Sequence, residues 1–380
     1  MAGRTIFLTG ATGALGPHLL SALLASDAVQ RVHVLMRPAD RSLDVRRGEL
    51  LRRVRDAQQS PQLAGDLDGI SCIEGDIRQG YGAEADALLR DVDVIIHAAA
   101  DTRFRAPLSK QMETNVQGTR NMIALARRCA RLQRMVFVST TCVAGRRTGV
   151  IPETISPDAP EFVNGYEASK FAAEDVVCDS GLPVIIARLS TILGSENSSQ
   201  FDRPGAIHHV LRWMFRGLVP MVPGTAASAV DVISSEWAAA GVARCALAQG
   251  SLPDVVHIAR GMNAIALGDL LETAVAEFAA ISPSWKRSQV PRPIIVDRQT
   301  FELFRRSIQT SGDLLFGKVL DSVAAFLPGL LYPKRYETAR AESLMGSYVP
   351  GDWRPLVRCA IRASVERPDV QPLVREVSYA

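Results

Sequence analysis

Thr5-Ile6-Phe7-Leu8-Thr9-Gly10-Ala11-Thr12-Gly13-Ala14-Leu15-Gly16-Pro17 decides how this chain folds. A short β-prone apolar run closes in a turn with glycine at every third position, and a helical apolar pattern starts at Pro17. Gly10 permits a sharp turn, Gly13 lets backbone approach a phosphate, and Gly16 lets the helix pack closely on the strand. Unpaired N–H groups at a helix start attract anions, so the unit predicts a site for a dinucleotide pyrophosphate.

The same rhythm continues downstream. Strands are expected at 5–8, 32–36, 71–74, 94–97, 135–139, 184–187 and 255–258, and helices at 17–25, 43–58, 83–89, 114–131 and 166–179. Alternation of this kind gives the α/β class, a doubly wound parallel sheet of Rossmann type. After Ala187 the pattern loosens into turn-rich sequence at 194–205 and a proline-punctuated stretch at 218–224, and from Gly261 it turns mainly helical, at 266–280, 299–309 and 313–327. The expected division is an NADP-binding Rossmann domain of residues 1–187 plus 229–260, and a smaller, mainly helical substrate cap of 188–228 plus 261–380.

Bulk composition excludes several classes. A formal net charge of +3 over 380 residues, with no basic tail, argues against nucleic-acid binding. Lysine is confined to positions 110, 170, 286, 318 and 334, so arginine carries most of the positive charge. Cys72, Cys129, Cys142, Cys178, Cys245 and Cys359 are scattered without metal-ligand spacing and read as buried thiols of a reducing compartment. His208-His209 point apart on a helix, so no metal is expected. No apolar run reaches the length of a membrane span, and the first strand leaves no room for a signal peptide, so the expected location is cytoplasmic. The absence of a G-x-S-x-G elbow argues against a hydrolase of that type. Residues 314–331 are strongly apolar and read either as core or as the wall of a hydrophobic tunnel or membrane-touching face.

Hydride chemistry needs a proton donor and hydrogen-bond donors aimed at the reacting oxygen. In Asn164-Gly165-Tyr166-Glu167-Ala168-Ser169-Lys170 a phenol and an ammonium lie four residues apart, on one helix face. Tyr166 is the candidate acid, with Lys170 expected to lower its pKa. Ser139-Thr140-Thr141 follows a strand, where one hydroxyl can meet the same oxygen, and Asn115 can hold a backbone carbonyl and a water leading from Lys170 to solvent. Arg37 ends the second strand, where an acidic residue would accept from the ribose of NAD, so NADP(H) is expected. Asp76 can accept from the adenine amino group, and Ala98, Ala99 and Ala100 let the cofactor lie against backbone. The full cofactor set is Gly10, Thr12, Gly13, Ala14, Leu15, Gly16, Arg37, Asp76, Ile77, Ala98, Ala99, Ala100, Ser139, Tyr166, Lys170 and Leu189. Six arginines between Arg41 and Asp56 form either a solvated helix face or a dock for an acidic carrier or coenzyme phosphates.

On these residues the chain resembles the extended short-chain dehydrogenase/reductase superfamily over roughly residues 4 to 260. The resemblance implies that Thr140, Tyr166, Lys170 and Asn115 form its catalytic tetrad. Thr140 is preferred because Thr140-Thr141-Cys142-Val143-Ala144-Gly145 is similar to the superfamily's Ser-x-x-Val-Tyr-Gly. Within the superfamily the chain looks like thioester reductase domains and fatty acyl-CoA reductases of the male-sterility type. Leu35-Met36-Arg37-Pro38, Asn115-Val116-Gln117-Gly118-Thr119, Val138-Ser139-Thr140-Thr141 and Val219-Pro220-Met221-Val222-Pro223-Gly224 carry that likeness. It implies NADPH-dependent reduction of an acyl thioester on CoA or an acyl carrier protein. Arg188-Leu189-Ser190 departs from the usual Arg-Pro. Rival readings keep the machinery for a ketone or alcohol on a lipid- or polyketide-like molecule, for a nucleotide sugar in an epimerase or dehydratase, or for a non-catalytic NADP sensor.

Overall fold

The computed structural model describes residues 3–58, 67–81, 89–196, 205–250, 253–282, 285, 292–311, 316–317, 319, 327–346 and 350–366. Its main sheet contains β1 (Arg4–Thr9), β2 (Val29–Met36), β3 (Ile70–Asp76), β4 (Gly80–Tyr81), β5 (Val94–His97), β6 (Arg134–Thr140), β7 (Val184–Leu189) and β8 (Val255–Ile258). Their spatial order is β8-β7-β6-β5-β1-β2-β3-β4. Seven strands run parallel, and only the short β4 pairs antiparallel, with β3.

Side-chain alternation along β1 places the two helical layers. Ile6 and Leu8 face α1 (Gly16–Leu24) through Leu19, Leu20 and Leu23, in a core shared with Val242 and Ala246 of the helix Ser235–Leu247. Phe7 points the other way, joining Ile95, Phe137, Met122 and Val177. Successive strand residues face opposite sides, so an apolar run of this length can only be buried beneath helices on both faces. Chain order reverses between β1 and β5, and the crevice at that reversal, beyond the strands' C-terminal ends, is where such sheets bind ligands.

Two expected elements shift in ways that matter. The crossover after β5 starts earlier than expected, at Leu108 behind Pro107, and contains a π-helical turn over Met112–Gln117 before continuing as Gly118–Ala126. Strand β7 continues past Ala187 to Leu189, which pairs opposite Thr140. The helices expected at 83–89 and 313–327, and most of the apolar stretch 314–331, lie largely outside the described residues.

Beyond the sheet, the helices Ala206–Phe215, Leu267–Ile281 and Arg354–Val365 enclose a second core that includes Leu211, Met214, Phe278, Val357 and Ile361. A void within it holds only about 30 Å³, room for about one water and too little for an acyl chain. Further along, the helix Ala339–Met345 returns to the sheet and buries Ala341 in the α1-side core.

Candidate active site

Beyond β1 the glycines are held by contact. Gly10 has φ +81°, and a Cβ there would lie 2.6 Å from the Ala98 carbonyl carbon; at Gly16 it would lie 2.0 Å from the Ala11 oxygen. Only hydrogen fits at either position. Gly13 N–H donates to Gly10 O at 3.0 Å, closing the turn. Thr12 and Ala14 are exposed at its lip, Leu15 and Gly16 are buried, and α1 begins without a side-chain cap or an acidic residue in its first turn. Those uncapped N–H groups suit a pyrophosphate, so the residues present fit a dinucleotide.

Three consecutive hydroxyls at the end of β6 take three different directions. Ser139 Oγ donates to buried Glu174 at 2.6 Å. The Thr141 hydroxyl lies towards the Tyr336 phenol, on the strand Lys334–Tyr336, and favours its ionised form against the effect of burial. Thr140 is left beside Tyr166, whose ionised form it favours, with its Oγ1 accepting from Cys142 N–H at 3.2 Å. Alternation and a tight 3-10 turn over Thr141–Ala144 produce this sorting.

Tyr166 and Lys170 occupy one face of the helix Gly165–Cys178, which Asn164 caps by accepting from Glu167 N–H at 3.0 Å. Phe104 packs edge-on against the Tyr166 ring, 5.4 Å between centroids. Tyr166 keeps some solvent contact, yet its crowded phenol is raised well above the usual range, by burial first and by Cys142 and Glu167 in addition. The Lys170 ammonium donates to Val138 O at 2.9 Å and lies 4.0 Å from the centre of the Phe137 ring. Burial brings its pKa down to about 7, against the opposing pull of Glu174.

Asn115 lies inside the π turn, a local widening that often marks functional sites. Its side chain clasps Asp101, accepting from Asp101 N–H at 2.7 Å and donating to Asp101 O at 3.1 Å. It also donates to Ser169 Oγ at 2.8 Å, and Ser169 donates to Tyr166 O at 2.9 Å. Asn115 thereby ties the loop after β5 to the helix turn bearing Tyr166.

Arg37 is exposed at the end of β2, and no described residue accepts from its guanidinium, although Asp76 and Asp101 lie within its field. Each carboxylate holds its own arginine in a fork: Asp76 grips Arg78 and Asp101 grips Arg103, both at 2.6 Å at the shorter contact. Ile77 packs beneath Gly118, and Ala99 N–H donates to Thr9 Oγ1 at 3.1 Å. The arginine-rich α2 (Leu43–Ala57) is not simply a solvated face. Arg46 is buried, pairing with Glu74 and donating to the Arg37 carbonyl, while Arg53 donates to the carbonyls of Thr12 and Gly13 at 2.9 and 3.1 Å. The extra buried cation is tolerated because its donors are paired.

A family model described as Male sterility protein, an NAD-binding domain, matches residues 8–242, more than half of the chain. The chain belongs to that NAD-binding family. The hybrid PKS-NRPS synthetase pydA of an Acremonium species is 32% identical over 253 residues, 63% of this chain. Adenylate-forming reductase Nps9 of Serpula lacrymans is 36% identical over 209 residues, 52% of this chain. The matched regions are only 5% and 19% of those relatives. Among solved structures, the terminal R domain of the myxalamid PKS-NRPS pathway superposes with a TM-score of 0.75 at 21% identity, over 98% of this chain and 93% of that one, and shows the shared fold. The chain is thus an NAD(P)-binding member of a reductase-domain family with the extended short-chain dehydrogenase/reductase fold.

Sequence reasoning assigned no role to several neighbours of these residues. Glu174 receives Arg188 through Nε at 3.0 Å and Nη2 at 2.7 Å, both side chains buried. Ser190 N–H donates to Ile258 O at 3.1 Å, a bond that a proline at this position could not make. His97 links β1 to the π turn: Thr119 donates to Asn115 O at 2.6 Å, so His97 Nε2 must donate to Thr119 (3.2 Å) and its Nδ1 accept from Thr9 (2.8 Å). Burial lowers its pKa to about 3, in keeping with that neutral ring. A histidine flanked by apolar strand residues was the available signal.

Other sequence readings resolve simply. His208 accepts from Gly205 N–H at 2.9 Å and donates to Leu193 O at 3.0 Å, a structural cap. Among the described residues no group can hold a metal, and no helix is long and apolar enough to cross a membrane. The cysteines are free, but only Cys129 and Cys245 are buried; Cys178, ending its helix, is exposed, which corrects the expectation. Burial pushes Cys142, beside Thr140, up to about 11, unsuited to a nucleophile.

Proposed function

We propose that this chain is an NADPH-dependent reductase of an acyl thioester, presented on CoA or on an acyl carrier protein, that yields an aldehyde or alcohol. The observation that supports the reading is that Thr140, at the end of β6, acts on the Tyr166 phenol, that Lys170, one helix turn from Tyr166, donates to Val138 O of the same strand, and that β1, two strands away in the sheet, ends in the tight glycine turn. The relatives, a hybrid PKS-NRPS synthetase and an adenylate-forming reductase, support an acyl group activated elsewhere.

The glycine turn would hold NADPH, which when bound would supply the hydride. As the carbonyl carbon gains it, negative charge grows on the oxygen, and the Thr140 and Tyr166 hydroxyls are the donors for that charge. Tyr166 then gives its proton to the oxygen, help typically worth about 10²- to 10⁴-fold. Burial raises the phenol, which is protonated at neutral pH and so can act as the acid. Lys170 stabilises the phenolate left behind, and Asn115 holds the Tyr166 helix turn through Ser169. Collapse of the protonated adduct releases the thiol and leaves the aldehyde. Arg37, with its guanidinium donors facing no described acceptor, is the residue to receive a 2′-phosphate.

Turnover of purified protein with octanoyl-CoA, an octanoyl-carrier protein and a medium-chain ketone, each with NADPH or NADH, tests the proposal. Thioester-dependent oxidation of NADPH with aldehyde or alcohol product is expected; turnover of the ketone alone would transfer the machinery to the rival reading.

A further inference from the structure

Outside the catalytic cluster, one feature of the surface is built for a ligand of defined charge. A solvent-open cavity of about 410 Å³ is lined by Arg146, Arg147, Pro160, Glu161, Arg298 and Tyr332. That volume falls within the range of small-molecule sites. Three guanidiniums face a single carboxylate. Glu161 pairs with Arg146 at 2.8 Å, but these side chains are 78% and 43% exposed, so the pair is screened and open to exchange. Arg147 is braced by the Asp158 carbonyl, and the Arg146 and Arg298 guanidinium carbons each lie 5.7 Å from the centre of the Tyr332 ring. Arg147 is therefore fixed before any anion arrives, and Arg146 and Arg298 flank one ring beside it. Guanidinium forks match phosphate oxygens in pairs, which favours a phosphate over a lone carboxylate.

Position connects this cavity to the chemistry. Arg146 follows Thr140 by six residues, which bounds their separation at roughly 21 Å, and the 3-10 turn between them shortens it. Lys334 donates to Gly145 O beneath the arginines and also lies within the field of Glu167, next to Tyr166. Resting on the thioester reading above, we infer that this cavity receives the phosphate at the far end of the substrate's phosphopantetheine handle. The acyl carbon lies at Tyr166 and Thr140. Its open side leaves room for what the phosphate is attached to, the nucleotide of CoA or a carrier protein.

Steady-state kinetics with octanoyl-phosphopantetheine, octanoyl-CoA and octanoyl-pantetheine, which lacks the phosphate, tests this. The wild-type protein should prefer both phosphorylated thioesters in kcat/KM, and Arg298→Gln or Arg147→Gln should cut that preference about tenfold, mainly through KM. Arg306→Gln, on the helix Arg298–Ser311 with Arg298 but outside the cavity, should keep it. Equal preference in wild type and both cavity variants, or the same loss in Arg306→Gln, would overturn the assignment. An advantage of CoA over phosphopantetheine in wild type that the cavity variants erase would name the nucleotide as what the arginines read, and would overturn it too. If no thioester is reduced, the function proposed above fails, and calorimetric titration with phosphopantetheine and with UDP still tests the cavity. Phosphopantetheine binding that weakens about tenfold in Arg298→Gln supports it. Equal binding, or binding of UDP alone, rejects it.

Discussion

Arg188 and Arg146 are both paired with a glutamate, and the two pairs behave oppositely. Arg188 and Glu174 lie under the sheet edge with side chains 4% and 3% exposed, joined by a fork that also receives Ser139. Arg146 and Glu161 sit on a rim at 43% and 78%. A buried pair cannot exchange partners without stranding a charge, whereas a screened pair loses little when an anion intrudes. The sheet edge spends charge on holding hydroxyls and helices in place; the rim of the cavity keeps charge available. The same residue types therefore fix catalytic geometry in one region and offer binding capacity in the other.

Substituting the two acids separates these roles most sharply. Glu174→Gln should cost about 3–5 kcal/mol in denaturant unfolding, because Arg188 stays buried without its counter-charge. Glu161→Gln should cost no more than about 1 kcal/mol. Comparable losses would erase the distinction. Within the sheet edge, the three hydroxyls sharpen it further. Thr140→Ala should lower kcat by about 10²- to 10³-fold at near-native stability, while Ser139→Ala should destabilise by about 1–3 kcal/mol through loss of its charge-assisted bond to Glu174, which Arg188 still pairs. A larger kcat loss in Ser139→Ala would move the catalytic hydroxyl.

The pH profile follows from burial. Lys170, lowered to about 7, is an ammonium below that value and an amine above it. If the ammonium is the working form, kcat/KM should fall as pH rises through about 7, by up to tenfold per unit. A profile flat from pH 6 to 9 would remove Lys170 from the electrostatics of the reaction. Smallest of all, Arg37→Ala should raise KM for NADPH about tenfold and leave NADH little changed; an equal effect on both would deny Arg37 the phosphate.

Most of the sheet was legible because its physics is local. Apolar runs such as 94–97 and 255–258 coincide with β5 and β8, and the glycine spacing states its own steric requirement. The site was legible only where partners are near in sequence, as with Tyr166 and Lys170. Choosing among Ser139, Thr140 and Thr141 depends on Glu174 and Tyr336, 35 and 195 positions away, which no spacing rule reaches. Arg46 was misread as solvated because an arginine carries no sign that Glu74 and a carbonyl await it. The cavity joins Arg146 and Arg147 to Arg298 across more than a hundred residues, so its charge could be seen only in three dimensions.

Single-turnover oxidation of NADPH by octanoyl-CoA, followed by stopped-flow absorbance in wild type and Tyr166→Phe, tests the central claim most directly. With NADPH binding unchanged by calorimetry, the account predicts a rate at least about 10²-fold lower in Tyr166→Phe. Full-rate hydride transfer in that variant would contradict Tyr166 as the proton donor.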